Sequence, residues 1–187
     1  MNKVLFLVFI LSSIINTNLY GYGPEEADDA RCDAITMKQD AIDKRESLTP
    51  IKASVETTRD NAYSLRTQAR NHLIDVLGYS STDAAVIIDA IKLFEESGDS
   101  ELTLGNASIP LGNIQLSSGD AEVVNGDDYY NGSPPNYTHA CTHYDSAYSY
   151  YSNANSYYVS SESRYNSALF YYNTAITAYN GILAINP

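Results

Sequence analysis

The chain has 187 residues and a formal charge of −12, from 23 acidic and 11 basic side chains. A chain of this length is one ordinary domain or one extended module. Its acidity argues against nucleic acid and anionic lipid as partners, because both are bound through basic surface.

Residues 1–21 read as a secretory signal peptide. Lys3 supplies a positive start and Val4 to Ile15 an apolar core, shorter than the roughly 20 residues that span a bilayer. The mature part, residues 22–187, is expected to be secreted, to an extracellular or periplasmic space.

Residues 25–77 carry a seven-residue apolar repeat. Its a positions are Ala27, Ala34, Ala41, Leu48, Val55, Ala62, Ala69 and Val76. Its d positions begin Ala30, Met37, with Lys44, Thr58 and His72 as interruptions. The phase runs unbroken through Thr49-Pro50, which predicts one long helix, kinked at the proline, rather than two. In six consecutive repeats the residue after the d position is basic: Arg31, Lys38, Arg45, Lys52, Arg59 and Arg66. This row reads as a solvated flank pairing with nearby carboxylates, or as cations set over rings across the seam.

Gly78 is a C-terminal cap, and Ser80 with Asp83 resembles a capping box. A short helix is expected over residues 81–97, with Ala84, Ile87, Ile88, Ile91 and Phe94 on one face and Gly98 as its stop. Residues 98–136 read as an extended or loop insert with one or two strand pairings, because Leu-Gly-Asn recurs at 104 and 111 and Asn-Gly and Pro-Pro pairs follow. Asn106, Asn131 and Asn136 lie in glycosylation sequons.

Over residues 138–185 the repeat returns with tyrosine. Tyr137, Tyr144, Tyr151, Tyr158, Tyr165, Tyr172 and Tyr179 fall every seventh position. Three residues after each stand Ala140, Ala147, Ala154, Ser161, Ala168, Ala175 and Ile182. Further apolar residues at e and g widen the stripe beyond one neighbour's needs, so at least two helices are expected against it. Seven tyrosines in phase argue for helix over a disordered Tyr/Ser/Asn-rich segment.

Two cysteines in an exported chain suggest a disulfide, Cys32 to Cys141. Both lie early in their helices, so a bridge within one chain requires the long helices to run parallel, and this arrangement is preferred. An antiparallel pair would instead bring His72 toward His139 and His143, whose four-residue spacing can hold zinc or copper. The bridge and the metal site exclude each other, and no metal or other cofactor is expected.

The expected fold is all-α: an elongated helical bundle or coiled coil of two long helices and one short one, with a small irregular or β-containing insert. No nucleophile elbow or phosphate loop occurs, so an enzyme is not expected. The first functional expectation is a secreted structural protein, a homo-oligomer or polymer. It would self-associate through tyrosine-rich helical surfaces into a fibre, appendage or surface layer. The second is an extracytoplasmic helical module that binds a small ligand or metal. The third is a membrane-active factor that swings out residues 84–94, although no stable membrane insertion is expected.

Overall fold

The computed structural model describes residues 21–187, so the signal-peptide reading of residues 1–21 falls almost wholly outside the described part. Three helices account for it: α1, Pro24–Asp75; α2, Ser81–Tyr130; and α3, Tyr137–Leu183. The fold is all-α.

Local sequence explains where each helix starts. Pro24 sits in the first turn of α1, where its missing N–H costs nothing, and the Glu26 carboxylate accepts from the Gly23 amide at 2.9 Å. The Ser80 hydroxyl accepts the Asp83 amide at 3.1 Å and donates to the Asp83 carboxylate, starting α2. The Asn136 side chain accepts the His139 amide at 3.1 Å to start α3. The turn after α1 is closed by Gly78, whose φ of 73° is the left-handed region that a side chain disfavours.

Two expectations are corrected. The helix starting at Ser81 does not stop at Gly98 but continues through Pro110 to Tyr130. Residues 98–136 are therefore no β-containing insert: no strand occurs among the described residues, and only residues 131–136 join α2 to α3. The physical reason lies in packing. The glycines that look like turn signals are spaced by sevens and lie beneath tyrosine rings of α3.

The chain divides into two compact units. The first joins residues up to 40 with 114–153, the second 41–113 with 154–187. In the first unit Arg31 pairs with Asp127 and Lys38 with Asp120, each at 2.8 Å, so α1 and α2 run antiparallel there. Tyr144 bonds Asp127 and Tyr151 bonds Asp120, so α2 and α3 also run antiparallel. α1 and α3 are consequently parallel. The core of this unit holds Ala27, Ala34, Ala140, Cys141, Tyr144, Ala147 and Tyr151.

The second unit has the same sense of packing. Arg66 pairs with Glu95 at 2.6 Å and Tyr63 bonds Asp99 at 2.6 Å. Tyr172 bonds the same Asp99 at 2.7 Å, and Lys44 of α1 meets Glu162 of α3. Its core holds Leu48, Val55, Ala62, Ala69, Leu73, Ile88 and Leu102 beside Tyr158, Tyr165, Tyr172 and Tyr179.

Candidate functional site

α2 carries the repeat Gly98-Asp99, Gly105-Asn106, Gly112-Asn113, Gly119-Asp120 and Gly126-Asp127. Each glycine lies under one ring of α3, and each following side chain accepts that ring's hydroxyl. In the first unit Tyr144 covers Gly126 and donates to Asp127 at 2.8 Å, while Tyr151 covers Gly119 and donates to Asp120 at 2.7 Å. In the second unit Tyr158 covers Gly112 and donates to Asn113 at 2.8 Å. Tyr165 covers Gly105 and donates to Asn106 at 2.8 Å, and Tyr172 covers Gly98 and donates to Asp99 at 2.7 Å. The Ser161 hydroxyl adds a bond to the Gly105 carbonyl at 2.7 Å.

Each rung has a simple energetic balance. A glycine inside a helix costs about 1 kcal/mol against alanine. Burying a large side chain returns about 1.5–3 kcal/mol. A methyl at Gly112 would stand 2.5 Å from the Tyr158 ring, so the missing side chain is the condition for burying the ring. The phenol then needs a partner in the dry interior, and the residue after the glycine supplies it. Six of the seven heptad tyrosines, Tyr144 to Tyr179, are fully buried. Tyr137, at the turn, is half-buried edge-on against Tyr130.

Burial pushes all six of these phenols above their ordinary range. Hydrogen-bonded carboxylates push Tyr144, Tyr151 and Tyr172 further. Asp127 is pulled both ways: burial raises it, but bonds from Arg31 and Tyr144 outweigh that and hold it below the usual carboxylate range. The rung at Tyr179 departs from the pattern, with Ile91-Lys92 in place of Gly-Asx. There Glu95 stands beside Tyr179, 1% exposed, its carboxyl raised by burial against the pull of Arg66. The Glu95 carboxylate in turn pushes the buried Tyr179 phenol further up.

The basic row divides among several partners. Arg31, Lys38 and Arg66 pair with carboxylates of α2. Lys52 and Arg59 pair along α1 with Glu56 and Asp60. Arg45 lies beside the Tyr158 hydroxyl. Lys38 also stands 6.0 Å from the Tyr151 ring centre, the one member of the row set over a ring of the tyrosine heptad.

The disulfide expectation is corrected. Cys32 and Cys141 are free thiols. The helices are parallel as a bridge requires, yet Cys32 faces solvent while Cys141 faces the core against Ala27, with its thiol pushed up by burial. The histidines are engaged separately. His143 contacts Glu122 at 2.6 Å, His139 meets the Tyr129 ring edge-on, and His72 contacts the Ile185 carbonyl. Among the described residues no group of three or more ligating side chains could hold a metal ion.

The outward face of α2 carries a feature that the sequence reading missed. In the second unit Val86, Leu93, Leu104 and Leu111 are 45–68% exposed. With Ala90, Ser97, Ser100 and Ala107 they form a second heptad stripe on the side of α2 turned away from its buried positions. No charged residue occurs in it. A helix apolar on both faces ordinarily has neighbours on both. Among the described residues no helix is long and apolar enough to cross a membrane. Comparisons with protein-family models, curated proteins and solved structures find no match for this chain.

Proposed function

We propose that this is an exported structural protein that self-associates through helical surfaces into a fibre, appendage or surface layer, and that the back of α2 is the associating surface. The observation that carries this reading is the uncharged heptad stripe of Val86, Leu93, Leu104 and Leu111 exposed on α2. The tyrosine heptad, the surface favoured by sequence, serves the inside of the chain instead: its rings are consumed by rungs to α2. Export is supported by the apolar run Val4 to Ile15 behind Lys3.

A ridge of leucines at heptad spacing is the ordinary means by which helices associate. Leu104→Lys places a charge in the middle of this stripe and leaves the tyrosine rungs untouched. Light scattering behind size-exclusion chromatography is expected to show an oligomer for the native protein. The variant is expected to dissociate at concentrations at least ten times higher, with unchanged helical content. A native protein that stays monomeric at high concentration would defeat the reading.

A further inference from the structure

We infer that the occupant of the α2 stripe is the same stripe of a second copy, running antiparallel, with a two-fold axis crossing α2 between Gly105 and Asn106. The inference rests on the self-association proposed above and specifies its partner and direction.

The stripe alternates in size. Along its centre it reads Ser100, Leu104, Ala107, Leu111. Laid antiparallel on itself about that axis, Ser100 meets Leu111 of the copy and Leu104 meets Ala107. The two-fold axis repeats both contacts in reverse. Leu104 and Leu111, the two large side chains of this central segment, then each stand opposite a small one, which is how facing helices interdigitate without voids. All four residues are exposed in the single chain, so the layer is free to form.

A parallel pairing in register places leucine on leucine, serine on serine and alanine on alanine, so wide and narrow layers alternate. The flanking charges separate the two directions as well. In a parallel pair each flank meets the opposite flank of the copy, five residues on. Glu96 would then face Glu101 of the copy. In the antiparallel pair each flank meets itself reversed. Glu101 then lies near Ser108 of the copy, and Thr103 near Pro110, so the central layers contain no like-charge contact. Glu101 is already held by Arg164 of its own chain at 3.0 Å, which fixes it to one side of the stripe.

A spin label reads direction and register together. Asp89 is exposed on the flank and makes no contact with the stripe's central layers. Asp89→Cys is labelled in a chain also carrying Cys32→Ser and Cys141→Ala. In the proposed register the two labels lie 33 residues apart along the axis, or about 50 Å at 1.5 Å per residue. A shift by one heptad gives about 40 Å in one direction and about 60 Å in the other, and a parallel pair under about 20 Å. A pulsed dipolar distance near 50 Å, lost on adding Leu104→Lys, is the expected result. A defined distance of another length, in a protein that still forms oligomers, overturns this pairing and leaves self-association standing. Oligomers that persist unchanged in Leu104→Lys overturn the stripe as the surface. A monomer with no dipolar signal overturns both.

Discussion

A glycine every seventh residue weakens a helix unless something occupies the space that it opens. In α2 the occupant is a phenol ring, and this makes the sign of a glycine substitution predictable site by site. Gly112→Ala gains about 1 kcal/mol of helix propensity. It also drives a methyl into the Tyr158 ring, whose hydroxyl is fixed by Asn113, and overpacking of this kind costs about 1–3 kcal/mol. A net loss of up to about 2 kcal/mol is expected in urea unfolding. Gly181 is the control: it lies in the last turn of α3 with nothing within 4 Å of an added methyl. Gly181→Ala is expected to stabilise by about 0.5–1 kcal/mol. If both substitutions shifted stability the same way, the close approach would not be what selects glycine. The cysteines give a second test at this scale. Cys32 is exposed and Cys141 is 3% exposed, so a thiol reagent is expected to label one site in the native protein and two after denaturation. No labelling before reduction would restore the disulfide.

At the scale of elements, α2 could not stand alone. Its five glycines beneath tyrosines cost about 5 kcal/mol of helix propensity, and Pro110 about 3 kcal/mol more. Only packing against α1 and α3 makes it helical, and for that reason its sequence looks like turns. α1 and α3 were legible because their apolar heptads announce burial directly: Ala27 to Val76 in one, Tyr137 to Tyr179 in the other. Their parallel direction was reached through the cysteines, a correct arrangement inferred from a bond that does not form. The signal for α2 was present but of another kind. Gly98 to Gly126 keep the same period of seven as the tyrosines, and each is followed by Asp or Asn. Reading glycine as a breaker hid a glycine that is a socket. The exposed stripe on α2 was hidden by the same error, since residues 98–111 were not treated as one helical face. Pro50 tests the other long element. It lies exposed in the interior of α1, where it removes a backbone bond. Pro50→Ala is expected to raise stability by about 1–3 kcal/mol, with the increase visible in the urea midpoint and no change in slope. A loss would show that the interruption at Pro50 fits the packing of α1.

The rungs recur in both compact units, so conditions that charge the phenols act on the molecule as a whole. Burial raises all six seam tyrosines from their ordinary value near 10, and Tyr63, which shares Asp99 with Tyr172, is raised in the same way. The sign follows from proton counting. Above about pH 10 the unfolded chain releases phenolic protons that the folded chain retains, so the unfolded state binds fewer protons. Stability contributed by the neutral phenols is therefore fully present below that pH and falls as pH rises through and beyond it. The same groups give this transition its own optical signal. Phenolate absorbance near 295 nm from the seam is expected to appear only together with the loss of helical ellipticity, in one cooperative step. Replacing Tyr172 by Phe removes one such proton from the balance and should make the alkaline limb less steep. Seam phenols that ionised while the helices stayed intact would show that the rings are open to solvent, and the proposed packing of tyrosine over glycine would then fail.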